Sequence, residues 1–272
     1  MSKNTTLSIS VLSGKGGVGK SNLALNICYG LHQLGHSVLL MDCDMGLANM
    51  DVLLGIAPQK HIQDILIDNQ DPASVLVPVT ERGQAFDLLP ANSGMAEFVD
   101  LDRGARSMLR ARLNPLASRY DFLCLDIGAG ISSTAMGFGI MTAMRVVVDT
   151  PEPTSLTDSY AMIKVVASRY HVRDFYILVN QVETAVEAKQ TYDRLAAVCG
   201  RFLGFSPIFL GEVRNDRALV DAVRKQKPLM EVSPRSPAAT DCMVLANSLH
   251  RLRETLLAQN DMEPLRNLGS AK

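Results

Sequence analysis

Eight residues near the start of the chain, Gly14 to Ser21 (GKGGVGKS), have the types and spacing of a phosphate-binding loop. Gly14, Gly19, Lys20 and Ser21 fit the P-loop pattern, in which backbone amides surround a polyphosphate, the lysine reaches its terminal groups and the hydroxyl reaches Mg²⁺. The loop lies between an apolar run, Leu7 to Leu12, and a helical pattern. The predicted contact residues are Gly14, Lys15, Gly16, Gly17, Val18, Gly19, Lys20, Ser21 and Asn22.

The same glycines leave a second interpretation, a dinucleotide site. Gly14, Gly16 and Gly19 satisfy G-x-G-x-x-G, and Asp42 lies at about the distance downstream at which an acidic residue binds a ribose. Lys20 and the hydroxyl after it favour a nucleoside triphosphate, because a triphosphate with Mg²⁺ needs both charge neutralisation and a metal ligand. A pyrophosphate-binding turn needs neither, so the triphosphate is the stronger interpretation.

Carboxylates follow two apolar runs that read as buried strands. Asp42 and Asp44 come directly after Val38–Met41, and Asp126 follows Phe122–Leu125. Because ligands bind at the carboxyl edge of parallel sheets, these side chains are placed to hold Mg²⁺ and to orient an attacking water. We expect Asp44 to orient the water. We expect the metal to be held, directly or through water, by Ser21, Asp42 and Asp126. The alternatives are a helix-capping aspartate with a surface charge, and an Asp-Gly turn.

A second lysine in the loop, Lys15, is unusual, since an ordinary P-loop needs one. The string KGGVGKS, starting at Lys15, resembles the deviant Walker A motif of the MinD/ParA class of ATPases. Three further strings resemble the FlhG/FleN branch of that class: DCDMGLANMDVLLG at 42–55, DIGAGIS at 126–132 and PEPTSLTDSYAMIK at 151–164.

The resemblance implies a set of roles that spacing alone does not give. Lys15 would cross a dimer interface to the partner's nucleotide, so the active form would be an ATP-sandwich homodimer in which Lys15 and Lys20 both serve catalysis. Glu152 would approach the partner's nucleotide, and Asn180 would read the adenine edge. Asp216 would close over the base or, equally, cap the helix that follows it.

The resemblance also implies the biological role: slow ATP hydrolysis in a switch that regulates flagellar number, placement and gene expression. The implied partners are an FlhF-type GTPase, a flagellar transcription activator or a basal-body protein. Three alternatives stay open, namely a MinD-type ATPase for division-site placement, a ParA-type ATPase for DNA or cargo partitioning, and a nucleotide sensor that does not hydrolyse. The formal net charge of -1 gives no global basic field and argues against DNA.

Strand and helix patterns alternate along nearly the whole chain of 272 residues, of which 47% are hydrophobic. Such alternation predicts the α/β class, with a single doubly wound, mainly parallel sheet and helices on both faces, as in MinD-like P-loop NTPases. We expect this domain to span residues 1–258 and residues 259–272 to form a flexible C-terminal tail.

Cysteine usage and hydropathy predict the compartment. The five cysteines are scattered without C-x-x-C spacing, which is typical of reduced core residues, and no apolar stretch reaches 18 residues. We therefore expect a cytoplasmic protein. The helical pattern from about Ala238 has no aromatic residue and is expected to pack on the core. Met262, Leu265 and Leu268 in the tail remain the candidates for weak peripheral association with the inner face of the cell membrane or the cell pole.

Overall fold

A single sheet organises the part of the chain that the computed structural model describes, residues 4–44, 46–80, 83–93, 103–259 and 262–266. Its strands are β1 Leu7–Leu12, β2 Val38–Cys43, β3 Val77–Thr80, β4 Phe86–Leu89, β5 Phe122–Ile127, β6 Met144–Asp149, β7 Phe175–Val182 and β8 Ile208–Arg214. The described α-helices are α1 Lys20–Gln33, α2 Met50–Leu54, α3 Ile62–Ile67, α4 Arg103–Ala117, α5 Ser133–Met141, α6 Pro153–Tyr170, α7 Ala185–Leu203, α8 Arg217–Arg224, α9 Leu229–Val232 and α10 Pro237–Gln259. A 3₁₀ turn covers Pro72–Val75.

The strand order is β3-β4-β2-β5-β1-β6-β7-β8, and every neighbouring pair is parallel except β3 with β4. This confirms the predicted doubly wound, mainly parallel sheet. The antiparallel edge strand β3 is an addition to the predicted pattern. Pro78 is tolerated there, since an edge strand has ladder positions that need no amide hydrogen.

Two buried clusters cover the two faces of the sheet, because successive side chains of a strand point to opposite faces. In β2, Leu39 belongs to the cluster that includes Ile163 of α6. Its neighbour Leu40 belongs to the cluster that includes Ala24 of α1 and Ala246 of α10. Helix α10 therefore packs on the core, as expected. All five cysteines are buried and free.

The described part of the tail packs against the domain. Met262 and Leu265 are buried, and the backbone amide of Arg266 donates to the carbonyl of Met141 at 2.7 Å. Leu268, the third apolar residue of the predicted membrane-associating set, lies outside the described residues. Among the described residues, no helix combines the length and the apolar character that a membrane crossing requires.

Candidate functional site

The glycine-rich loop joins β1, in the middle of the sheet, to α1, which begins at Lys20. Gly17 and Gly19 have φ of 81° and 90°, a left-handed conformation that strains any residue with a Cβ. Neither a capping side chain nor an acidic residue occupies the first turn of α1, so its unpaired amides and the positive end of the helix dipole are available to an anion. The Lys20 side chain is buried beside this turn.

Asp42 and Asp126 are the next-to-last residues of the neighbouring strands β2 and β5 and lie directly opposite each other in register. Both are almost completely buried. Burial raises the pKa of both carboxyl groups above the usual value, and the charge of Asp42 raises that of Asp126 further, while the Ser21 hydroxyl and Lys20 lower it. A pair of buried carboxylates beside one lysine is a site suited to an additional cation.

The donor set around Asp126 fits Mg²⁺. The Ser21 hydroxyl lies close enough to the Asp126 carboxyl group to lower the carboxyl pKa, and the Oδ1 atom of Asp126 is buried with no hydrogen-bond partner among the described residues. A hydroxyl and a carboxylate at the end of a P-loop are ligands that Mg²⁺ accepts directly or through water. Ser21 and Asp126 are therefore brought together as the sequence predicted.

The structure gives Asp42 a second task that the sequence did not predict. Its Oδ1 atom accepts the amide of Asp44 at 3.0 Å, and its Oδ2 atom accepts the amides of Asn49 at 3.1 Å and Met50 at 3.2 Å. Both oxygens are thus used to fasten the loop that carries Asp44. The predicted place of Asp42 in the metal shell stays a prediction.

Asp44 lies against the loop that follows β5. A Cβ built on Gly128 would be 3.0 Å from Asp44 Oδ1, so the carboxylate occupies the space that a side chain at 128 would need. The Oδ1 atom also accepts the amide of Leu47 at 3.1 Å. Asp44 is therefore held at the carboxyl edge of the sheet, on the same edge as Asp126.

Lys15 is paired within its own chain. Its Nζ atom donates to Glu152 Oε2 at 2.5 Å and to Thr154 Oγ1 at 3.2 Å, at the start of α6. The lysine and glutamate side chains are 38% and 60% exposed, so water screens this ion pair. The two residues that the family resemblance assigns to a partner's nucleotide are thus in contact with each other.

Asn180 is buried at the end of β7 and contacts the glycine-rich loop. Its Nδ2 atom donates to the carbonyl of Val18 at 2.8 Å and would lie 2.5 Å from a Cβ at Gly19. Position 19 therefore requires glycine for two reasons: its positive φ and the close approach of the Asn180 side chain. Reading of adenine by Asn180 stays a prediction.

Asp216 caps α8, one of the two roles predicted for it. Its Oδ1 atom accepts the amide of Ala218 at 2.9 Å, and its Oδ2 atom accepts the amide of Ala238 at 3.0 Å. Partial burial raises the pKa of Asp216, but these hydrogen bonds outweigh it and leave the pKa below the usual value. Contact of Asp216 with a base stays a prediction.

A buried carboxylate that sequence reasoning missed, Asp149, ends β6 between the loop and Asn180. It is fully buried, and burial raises its pKa although the hydroxyl of Ser155 and the amide of Thr150 donate to it. Asp149 follows Val146–Val148, so the signal that selected Asp126, an aspartate after an apolar run, was present here too.

Comparison with known proteins gives consistent matches. Residues 9–229 match the CobQ/CobB/MinD/ParA nucleotide binding domain. The chain is 34% identical over 233 residues to the antiactivator FleN of Pseudomonas aeruginosa, covering 85% of this chain and 81% of FleN. It is 32% identical over 234 residues to the flagellum site-determining protein YlxH of Helicobacter pylori, covering 85% and 78% respectively. The solved structure of the septum site-determining protein MinD from Pyrococcus horikoshii, complexed with Mg-ADP, aligns with a TM-score of 0.75 over 91% of this chain and 97% of that one; at 21% identity this shows the shared fold.

Proposed function

Since the chain belongs to the CobQ/CobB/MinD/ParA nucleotide-binding family, we propose that it is an ATP-dependent, dimerising switch that hydrolyses ATP slowly and regulates flagellar number and placement. The names of its relatives support the flagellar role: one is a flagellum site-determining protein and the other an antiactivator. The client is accordingly an FlhF-type GTPase, a flagellar transcription activator or a basal-body protein.

The observation that carries the catalytic part is the convergence of Lys20, Ser21, Asp126 and Asp44 at one edge of the sheet. Loop amides and Lys20 bind the phosphates, and Ser21 with Asp126 holds Mg²⁺, which neutralises charge on the phosphate oxygens when bound. Asp44 accepts a hydrogen bond from the attacking water and aligns it with the γ-phosphorus. The fastening of its loop by Asp42 keeps this carboxylate in place.

Lys15 links the nucleotide to dimerisation. Within a single chain Glu152 and Thr154 hold its amine. In the ATP-bound dimer the amine moves to the partner's phosphates, which frees Glu152 to approach the partner's nucleotide. Two apolar side chains next to the site support an interface, since Leu47 is 75% exposed and Ile131 is 54% exposed. Both belong to loops adjoining Asp44 and Gly128.

The solution mass of the protein tests this switch. Light scattering without nucleotide, with ADP and with ATP plus Mg²⁺ should give a doubled mass only with ATP. Lys15→Ala should abolish the doubling, and Asp44→Ala should trap the dimer. Lys189→Ala, which removes an exposed amine paired with Asp193, is the matched control and should dimerise normally. A solution mass that is the same with and without nucleotide, or a Lys15→Ala protein that dimerises like the wild type, would overturn the proposal.

The catalytic and biological parts have their own tests. Lys20→Ala should lose ATP binding, and unchanged affinity would remove the phosphate-binding role of the loop. In cells of the source organism, the same substitution should change the number or placement of flagella. Normal flagellation in that strain would refute the flagellar client while leaving the ATPase intact.

A further inference from the structure

The carboxylate of Asp149 fixes both ends of a short connection between β6 and α6. Its Oδ1 atom accepts the amide of Thr150 at 3.0 Å and the hydroxyl of Ser155 at 2.5 Å. The amide of Thr150 also donates to the Ser155 hydroxyl at 3.2 Å. Asp149, Thr150 and Ser155 are all buried. We call residues 150–154, which run from the end of β6 into the first turn of α6, the strap.

The strap presents the two side chains that hold Lys15. The Lys15 amine donates to side-chain oxygens of both Glu152 and Thr154, and both residues lie between the points at which Asp149 fastens the chain. Two of the five strap residues are proline, which has no amide hydrogen, so the strap has few backbone donors with which to fix itself.

The start of α6 depends on the same anchor. Glu152 occupies the N-cap position, but its side chain makes no capping hydrogen bond, because its carboxylate turns to Lys15 instead. A helix whose N-cap does not cap needs another restraint on its first turn. The Ser155 hydroxyl bound to Asp149 is that restraint, since Ser155 is the third residue of the helix.

Further along, α6 supports the glycine-rich loop. A Cβ at Gly14 would lie 2.2 Å from the backbone carbonyl of Asp158, so this part of α6 touches the loop directly. The next residue, Ser159, is buried close enough to Asp149 to lower its pKa, although the Ser159 Oγ atom makes no hydrogen bond among the described residues. The carboxylate of Asp149 therefore lies where the strap, the helix and the loop meet.

We propose that Asp149 is a positioning residue. By fixing the strap, it holds Glu152 and Thr154 where they accept hydrogen bonds from Lys15, and it thereby controls the release of that lysine. The link from Asp149 to dimerisation rests on the proposed function, because it requires that Lys15 bind the partner's nucleotide. The contacts themselves require no nucleotide.

The test measures the reactivity of Lys15 in the nucleotide-free protein. Trace acetylation with an N-hydroxysuccinimide ester, read by peptide mass spectrometry, should be faster for Lys15 in Ser155→Ala and in Asp149→Asn. We expect a two- to fivefold increase, about what release of an exposed ion pair gives. Glu152→Gln should give at least the same increase, and Ser155→Ala added to Glu152→Gln should give none beyond it.

Three controls separate positioning from a general loss of stability. Ser155→Thr keeps the hydroxyl and should label like the wild type. Thr255→Ala removes an exposed hydroxyl that bonds only within α10, away from the strap, and should also leave Lys15 unchanged. Lys227, which is paired with Glu231 on the surface, should label at the wild-type rate in every variant.

Two results would overturn the inference. In the first, folded Ser155→Ala and Asp149→Asn proteins label Lys15 at the wild-type rate while Glu152→Gln raises it. In the second, Lys227 accelerates in parallel with Lys15, which would mean general loosening. Neither result affects the doubling of the solution mass with ATP. Failure of the inference about Asp149 is therefore distinguishable from failure of the proposed ATP-dependent switch.

Discussion

Replacing Gly14 by alanine should separate the glycine-rich loop from the helix beneath it. The added Cβ would lie 2.2 Å from the backbone carbonyl of Asp158 and 2.6 Å from the amide nitrogen of Ser159. These are backbone atoms in the first half of α6, so no side chain can rotate away. Ordinary contact begins at 3.4 Å, and the loop and helix must therefore move apart by about 1.2 Å.

This displacement sets the expected magnitudes. Overpacking against backbone should cost about 3 kcal/mol of unfolding free energy, which lowers Tm by about 6–12 °C in a domain of this size. A shift of roughly 1 Å in a binding group costs about 100-fold, so kcat/KM for ATP should fall by about that factor.

Gly16→Ala is the matched control, because a Cβ at Gly16 meets nothing within 4 Å. Scanning calorimetry and titration with ADP compare the two variants. Gly16→Ala should melt within about 2 °C of the wild type. A Gly14→Ala protein with the Tm of Gly16→Ala and wild-type affinity for ADP would refute the contact between loop and helix.

Three further substitutions test the neighbouring contacts. Gly128→Ala should displace the Asp44 carboxylate by a few tenths of an ångström and lower phosphate release about tenfold with ADP affinity retained; unchanged turnover would contradict the place of Asp44 in hydrolysis. Asp216→Ala should lower the urea-measured unfolding free energy by about 1–2 kcal/mol, because two amides lose their acceptor, and a variant as stable as the wild type would exclude the cap. Burial lowers the pKa of His36 below 6.5, so the unfolded chain takes up a proton that the folded chain resists, and stability should fall as pH drops below about 6.5. His36→Gln should flatten that fall between pH 7 and 5, and an equal slope would exclude His36 as its source.

Most of the sheet could be predicted because buried parallel strands appear as continuous apolar runs. The apolar run Leu7–Leu12 is a strand with the same bounds in the structure, and the runs Val38–Met41 and Phe122–Leu125 begin β2 and β5. Strand β3 was missed because three of its four side chains are only partly buried and the fourth, Pro78, is exposed; proline argues against a strand until the strand is known to be an edge.

Some contacts of the candidate site could also be predicted from the sequence, and others could not. Ser21 and Asp126 could be placed together from the sequence, because the ends of parallel strands converge at one edge of the sheet. The contact of Lys15 with Glu152 could not, since it joins residues 137 apart through side-chain torsions that no spacing rule fixes. Arg112 of α4 is another example, because it donates to the backbone carbonyls of Asn69 and Gln70, which lie more than 40 positions earlier in the chain.

The central place of β1 in the sheet has a consequence for biosynthesis. Its partners are β5 and β6, so β1 leaves the ribosome before its partners and waits for residues that follow at least 115 positions later. At roughly 5–20 residues per second the nascent strand stays unpaired for about 5–20 s. An apolar segment exposed for that long is a target for chaperones. The glycine-rich loop at its end packs against Asp158 of α6, so the contacts of the loop are complete only after that part of the chain has been translated.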